Sequence, residues 1–329
     1  MDNILNKIPG YGLALGVGLA AVSLPQAVLA FEPKKPVEFV VMAGKGGGAD
    51  KAVRLMQSII AKHKMAPVPF TPVNKPGGSG AEALVYLKQK KGDAHTLMFT
   101  LNSFYTTPLR QKGLGVDIKT FTPVARMAED TFLLWVHSDR KDIKNFADFV
   151  KAAKAKGKQW IMAGTGKNSE DNLLTDFLNN SYGLKMKYVP YKGGGKVAKQ
   201  LAGKNADSTV NNPSEQLGFY QAGTTKALAA FTPERLPLFK NVPTFKELGK
   251  DFVYFMQRTV VGAPGMSKEA ADYYTGLFTK VFNSKEWQTY RTKRSLRGDL
   301  LTGKPLMDYW LKEREIHRKM LIKMGAIKG

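Results

Sequence analysis

Short apolar segments with strand propensity alternate with amphipathic segments along most of the chain. Val37 to Met42 is predicted to be a strand, and Asp50 to Lys64 a helix whose apolar positions recur at helical spacing. The same order of strand, turn and helix continues beyond Thr131 to His137, where a second unit is predicted to begin. This alternation predicts an α/β fold with largely parallel sheets.

The predicted strands often end in a glycine-rich or polar turn that opens a helix. Such turns are found at Gly44 to Asp50, Asn74 to Gly80, Gly164 to Ser169, and Tyr191 to Gly195. In open α/β sheets, ligands bind beyond the carboxyl ends of the strands, where the free N–H groups of helix N-termini favour anions. The turns therefore predict a site for a small carboxylate. The alternative is that the glycines only join strand to helix, and that Ser79, Ser169 and Asp50 are ordinary helix caps.

The first thirty residues differ from the rest of this chain of 329 residues, whose length suggests about two domains. Lys7 precedes an apolar run from Tyr11 to Leu24, and Val28-Leu29-Ala30 follows. This layout predicts a secretory signal peptide, cleaved after Ala30. A membrane anchor is the alternative, but the run is interrupted by glycines and is shorter than the roughly 20 residues that span a bilayer. We therefore expect the mature chain outside the cytoplasmic membrane.

The net charge of +23 predicts attraction of anions. Nucleic acid is not the expected partner, because the lysines and arginines are scattered over nearly every predicted helix and are not interleaved with aromatic residues. Cysteine is absent, and the four histidines are far apart in the sequence without paired ligand spacing. We therefore expect neither a metal site nor another cofactor.

The loop from Gly44 to Ala49 does not fit a nucleotide site. It lacks the Gly-Lys-Ser/Thr ending of a Walker loop, although Gly44, Gly46 and Ala49 imitate the weak GxGxxA pattern. The second predicted strand, near Val68 to Val73, also has no acidic residue at its end for a ribose hydroxyl. Since no GxSxG elbow or Ser, His and Asp grouping occurs either, an enzyme is not expected.

Seven short motifs occur in the order in which they stand in one receptor family. They are Gly46 to Asp50 with Arg54, Val73 to Gly80, Asp93 to Leu97, Val189 to Gly193, Asn241 to Thr244, Ala263 to Gly265, and Met324 to Ile327. Together they resemble the Bug family, the periplasmic substrate-binding proteins of tripartite tricarboxylate transporters. The sequence departs from that family where Ala49 replaces a threonine, and where Arg258 and Val260 replace tryptophan and glycine.

The resemblance implies a two-lobed, type II-like periplasmic binding protein fold, in which each lobe is a mixed, mostly parallel sheet flanked by helices. The first lobe would comprise residues 31–128 and 256–329, and the second lobe residues 129–255. A small organic anion, either a di- or tricarboxylate or an aromatic carboxylate, would be held between them. A monomeric receptor would then deliver it to membrane permease subunits. The alternative is a ligand sensor of the same fold that feeds a signalling partner.

Candidate ligand-binding residues follow from two arguments. The first argument is the resemblance, which implies that residues at positions matching the family's motifs bind the ligand. In the first lobe these are Gly47, Gly48, Ala49 and Asp50, and in the second they are Thr165, Gly166, Asn168 and Ser169. The second argument is position: polar residues at the ends of predicted strands would face the crevice, and these are Asn102, Ser103, Asn211 and Asn212. Lys192 lies on a candidate cleft loop. Arg258 could clamp a carboxylate with two hydrogen bonds or be an exposed residue near a hinge.

Overall fold

A computed structural model describes residues 31–329, so the predicted signal peptide at residues 1–30 lies outside the described residues. The strands of this range are β1 (Val37–Val41), β2 (Phe70–Asn74), β3 (Thr96–Thr100), β4 (Thr122–Thr131), β5 (Leu133–His137), β6 (Ile161–Thr165), β7 (Lys187–Tyr191), β8 (Ser208–Asn211), β9 (Thr225–Ala230) and β10 (Phe255–Gly262). Its α-helices are α1 (Gly48–Lys62), α2 (Ala81–Gln89), α3 (Ser103–Arg110), α4 (Phe146–Lys156), α5 (Glu170–Tyr182), α6 (Gly194–Ala202), α7 (Pro213–Gln221), α8 (Lys268–Asn283), α9 (Lys285–Lys293) and α10 (Gly303–Lys323). Within this part of the chain, no helix is both long and apolar enough to span a membrane.

Two five-stranded sheets organise the fold, and the lobe built on each is called the first or the second lobe. The first sheet has the order β2-β1-β3-β10-β4, and the second has the order β7-β6-β8-β5-β9. In the first, β1 pairs in parallel with β2 and β3, whereas β10 pairs antiparallel with β3 and β4. The second sheet repeats this scheme around β6 and β5. The expected α/β fold with two mixed, mostly parallel sheets is confirmed.

The same connection pattern places helix N-termini at equivalent edges of both sheets. In the first lobe, α1 links β1 to β2 and α2 links β2 to β3; in the second lobe, α5 and α6 link β6, β7 and β8 in the same way. Such crossovers between parallel strands require helices that pack on the sheet. In α1, the periodic positions Val53, Met56 and Ile60 are buried in the core of the first lobe.

The chain crosses between the lobes at two neighbouring points. β4 leads directly through Phe132 into β5, and the chain returns just before β10. The pairing of β4 with β10 extends as far as the crossing, where Phe255 lies opposite Thr131. The chain thus passes from one sheet to the other at Phe132 and close to Phe255. The lobe boundaries expected from the sequence, 128/129 and 255/256, remain a prediction.

A buried polar network fixes the neighbourhood of these crossings. Asn102 donates from Nδ2 to the Phe255 carbonyl oxygen at 2.8 Å, and its Oδ1 accepts the Gln257 N–H at 2.9 Å. On α10, the His317 ring bonds the Glu313 carbonyl oxygen through Nδ1 at 2.8 Å and the Tyr254 hydroxyl through Nε2 at 2.9 Å. The C-terminal helix is therefore tied to the crossing by an imidazole that is only 2% exposed.

We expect His317 to make the protein less stable as the pH falls. Burial lowers its pKa from 6.5 to about 4. Between these values the unfolded chain binds a proton that the folded chain excludes, so up to about 3 kcal/mol of stability is lost as the pH falls through this window. In urea denaturation at several pH values, His317→Gln should flatten the dependence of unfolding free energy on pH between 4 and 6.5. An unchanged slope would contradict this role.

Candidate functional site

A cavity of about 530 Å³ lies between the two lobes. All four turns singled out in the sequence contribute to its lining: Gly44, Gly47 and Gly48; Pro76 to Gly80; Thr165 to Lys167 with Ser169; and Tyr191 to Gly194. Met42, Leu101 and Met256 add apolar surface. The expectation that these turns face a shared gap therefore agrees with the structure.

Helix N-termini from both lobes meet at this cavity. The lining includes first-turn or N-cap residues of α1, α2 and α3 from the first lobe and of α5, α6 and α7 from the second. Each of these termini presents backbone N–H groups without an intrahelical partner, together with the positive end of the helix dipole. Their convergence favours a negatively charged group in the gap.

The capping of these six helices differs from that of three of the four other α-helices in the described chain, whereas α10 also lacks a side-chain cap. In none of the six does a backbone N–H donate a hydrogen bond to the side chain at the helix's own N-cap. By contrast, α4, α8 and α9 are capped by the side chains of Asn145, Ser267 and Ser284. Ser169 is at the N-cap position of α5, but its hydroxyl contacts the carbonyl oxygens of Thr165 and Gly166. The interpretation of Ser169 as an ordinary cap is therefore wrong.

Carboxylates of the second lobe reach two helix N-termini of the first. Glu215 Oε1 accepts the Gly48 N–H at 3.1 Å, and Glu170 Oε1 accepts the Ser103 N–H at 2.9 Å. Ser79 Oγ donates in the reverse direction to the Lys167 carbonyl oxygen at 3.0 Å. These bonds join the lobes directly, so the structure shows the closed form of the cleft.

Two glycine loops touch each other across the cleft. A Cβ added at Gly195 would lie 2.7 Å from the carbonyl oxygen of Gly46, and one added at Gly44 would lie 3.0 Å from that of Lys192. Real Cβ atoms essentially never come closer than 3.0 Å to another atom, so a side chain at Gly195 would clash in the closed form and one at Gly44 would be tightly packed. The absence of a side chain at Gly44 and Gly195 therefore allows the two loops to come into contact across the cleft.

Asp50 supports the first glycine loop from outside the cavity. Its carboxylate accepts the Gly46 N–H at 2.9 Å, Arg54 Nε at 3.1 Å and Asn74 Nδ2 at 3.0 Å. Although burial opposes ionisation, these hydrogen bonds hold the pKa of Asp50 below its ordinary value. An ionised Asp50 thus fixes the loop from Gly44 to Gly48 next to β2.

Arg258 is buried at the base of the cleft, so the exposed alternative for this residue is wrong. Its Nε donates to Asp130 Oδ2 at 3.0 Å, and a terminal nitrogen bonds Asn212 Oδ1 at 3.3 Å. The two charged side chains are 3% and 1% exposed. Burial opposes the guanidinium charge, but Asp130 raises the pKa of Arg258, so the residue remains a cation. Much of its charge is therefore already neutralised within the protein.

The predicted ligand-binding residues fall into two groups. Those that line the cavity are Gly47, Gly48, Ala49, Ser103, Thr165, Gly166, Ser169, Lys192, Asn212 and Arg258. Asp50, Asn102, Asn168 and Asn211 do not line it. Asn102 belongs to the crossing network, Asn211 Nδ2 donates to Glu215 at 2.8 Å, and the Asn168 N–H donates to Asn172 at 3.0 Å. For all of these residues, ligand contact stays a prediction.

Three other residues that line the cavity are not predicted as site residues from the sequence. Glu170 and Glu215 lie in the first turns of α5 and α7, where acidic residues are common for dipole reasons alone. Ser79, with its positive φ of 56°, is in a 3-10 turn before α2 and does not cap that helix. No local signal distinguishes these residues, because their partners belong to the opposite lobe.

Known proteins are similar to this chain in sequence and in fold. The "UPF0065 protein in gbd 5'region" of Cupriavidus necator is 22% identical over 313 residues, which cover 95% of this chain and 94% of that protein. The solved structure of the periplasmic binding protein BugD superposes with a TM-score of 0.82 at 19% identity, covering 89% of this chain and 99% of that one.

Two further solved structures of this fold contain ligands. An R. palustris protein with adipate has a TM-score of 0.78 at 23% identity, and MatC from Rhodopseudomonas palustris with bound malate has a TM-score of 0.75 at 20% identity. Each comparison covers 89% of this chain and 98% of the other.

The sequence profile described as "Tripartite tricarboxylate transporter family receptor" matches residues 53–286, well over half of the chain. The match includes most of both sheets and the lining turns from Pro76 onward. Together with the BugD-like fold, it confirms the resemblance drawn from the short motifs. The chain therefore belongs to the tripartite tricarboxylate transporter receptor family.

Proposed function

We propose that this chain is a periplasmic solute receptor that binds a small carboxylate between its lobes and delivers it to the membrane permease of a tripartite tricarboxylate transporter. The observation that carries this proposal is the convergence of six helix N-termini, without side-chain caps of their own, on one cavity between the lobes. A carboxylate there would accept backbone N–H groups from both lobes and so favour closure.

The remaining lining completes a site for an organic anion. Lys192 supplies a cation that, unlike Arg258, has no ion pair within the described residues. Met42, Leu101 and Met256 supply apolar surface for the carbon skeleton. Solved proteins of this fold with adipate and malate support a carboxylate as the ligand class. The expected di- and tricarboxylates and aromatic carboxylates are all included in this class.

Binding energy has to come from several of these groups together. Micromolar affinity corresponds to about 8 kcal/mol, whereas a single helix N-terminus contributes about 0.3–1 kcal/mol and up to ~2 kcal/mol when partly buried. Burial of the skeleton adds about 25 cal/mol for each Å² of apolar surface. We therefore expect affinity to depend on both lobes and on the apolar part of the ligand.

A thermal-shift screen of the mature chain tests this function. We expect small carboxylates to raise the melting temperature, and uncharged sugars and amines of similar size to leave it unchanged. Lys192→Gln should weaken binding of the best carboxylate about tenfold in calorimetry, because one charge-assisted contact is lost. The control is Lys187→Gln, since this exposed lysine begins the strand β7 that Lys192 follows and does not line the cavity.

Two results would contradict the proposal. One is stabilisation by none of the carboxylates, and the other is an equal loss of affinity in both lysine variants. Delivery is tested separately, by adding the purified receptor to vesicles that contain the transporter permease. Labelled carboxylate should accumulate only with receptor present, and uptake independent of the receptor would exclude the delivery role.

A further inference from the structure

The charge of the cavity lining is opposite to that of the whole chain. The chain carries a net charge of +23, yet four carboxyl groups line the cavity, those of Glu82, Glu170, Asp171 and Glu215. The lining cations are Lys167, Lys192 and Arg258, the last of which is paired with buried Asp130. A ligand with several negative charges would therefore meet more carboxyl groups than unpaired cations.

Two of these carboxylates occupy positions that suit a ligand carboxylate. Glu215 accepts the first N–H of α1, and Glu170 accepts the first N–H of α3, each from the opposite lobe. Glu215 is held in place by Asn211 Nδ2 at 2.8 Å. Glu170 is 4% exposed and bonds the opposite lobe through the Ser103 N–H. In the closed form, these two helix N-termini are thus already neutralised by the protein.

The surroundings of the acidic groups also oppose further negative charge. Burial raises the pKa of the Glu170 carboxyl, and it raises that of neighbouring Asp171 well above its ordinary value. A cavity that stabilises its own carboxylates poorly would stabilise a second ligand carboxylate poorly too, because like charges add to the cost of desolvation.

We propose that Glu170 and Glu215 take the places of additional ligand carboxylates, so that the receptor selects a monocarboxylate and discriminates against di- and tricarboxylates. This inference rests on the proposed function. The single ligand carboxylate binds the remaining helix N-termini and Lys192, and its uncharged part lies on the apolar lining of Met42, Leu101 and Met256. The two glutamates are specificity-determining residues, since each offers an oxygen where a multiply charged ligand would place its own.

Calorimetry with pairs of a monocarboxylate and a dicarboxylate that share a skeleton tests this inference. The pairs are hexanoate and adipate, butyrate and succinate, and benzoate and phthalate, at neutral pH. For the wild type, we expect the monocarboxylate to bind at least tenfold more tightly in the pair that fits best. The ratio within a pair is the readout, because any change in the ease of closure affects both members alike.

Variants of the two glutamates should change this ratio. Glu215→Ala and Glu170→Ala free one helix N-terminus each and remove one charge, so each should raise the affinity of the dicarboxylate relative to its partner at least fivefold. Glu215→Gln and Glu170→Gln preserve the size and an acceptor oxygen, and they should shift the ratio in the same direction if an alanine variant does not fold. The control is Glu82→Ala, since Glu82 lines the cavity but bonds the Gly77 N–H of its own lobe at 2.9 Å.

The outcomes separate this inference from the proposed function. Equal or tighter binding of the dicarboxylates by the wild type would overturn the inference alone, and so would an equal change of ratio in Glu82→Ala. Failure of every carboxylate to bind would overturn the proposed function and the inference with it. A wild-type preference for monocarboxylates that is lost only in the Glu170 and Glu215 variants supports both.

Discussion

Replacing Gly195 by alanine is expected to weaken ligand binding by more than tenfold and to leave the fold intact. In the closed form the added Cβ would lie 2.7 Å from the carbonyl oxygen of Gly46. That oxygen belongs to the backbone of the opposite lobe, so the clash is relieved only by opening the cleft. Gly195 itself lies in the first turn of α6, where alanine is a favourable residue.

Two measurements check this expectation. Calorimetry should show the loss of affinity for the best carboxylate, and small-angle X-ray scattering with saturating ligand should show a larger radius of gyration than for the wild type. The control is Gly218→Ala on α7, where an added Cβ meets no atom within 4 Å. Wild-type affinity in Gly195→Ala would show that the two glycine loops need not touch for ligand binding.

Replacing Arg258 by methionine is expected to lower the free energy of unfolding by about 3–5 kcal/mol, because it leaves the Asp130 carboxylate buried without its counter-charge. Asp130 is 1% exposed, and its Oδ1 already has no hydrogen-bond partner among residues 31–329. The substitution keeps most of the side-chain length, so packing changes less than charge.

Urea denaturation followed by circular dichroism measures this loss. The double variant Asp130→Asn with Arg258→Met should recover part of it, because the isolated charge is removed. As a control, Lys304→Met breaks the exposed pair with Asp308, whose side chains are 83% and 57% exposed, and should cost less than about 1 kcal/mol. Equal costs for the buried and the exposed pair would refute the assigned role of Arg258.

Much of the fold could be predicted from the sequence, because it depends on local patterns. The spacing of Val53, Met56 and Ile60 predicts the buried face of α1, and the glycine-rich turns mark where strands lead into helices. Since parallel strands put such turns at one edge of a sheet, the location of the cavity followed as well.

The roles of individual residues within the site could not be predicted as well, because they depend on which side chains meet when the lobes close. Glu215 and Gly48 are 167 residues apart in sequence, and Glu170 and Ser103 are 67 apart. Asp50 has the right position in the glycine motif, yet Arg54 and Asn74 hold its carboxylate behind the loop. A motif fixes where a residue lies along an element, whereas its contacts depend on distant segments.

The two crossings between the lobes are adjacent strands of one antiparallel ladder, paired as far as Phe255 and Thr131. Both strands of this ladder belong to the first sheet, so the two segments that lead to the second lobe leave that sheet side by side, at Phe132 and Tyr254. Opening is therefore a rotation of the second lobe about this one place. The molecule consequently has few independent ways to open. A single distance between one point on each lobe is enough to report its conformational state.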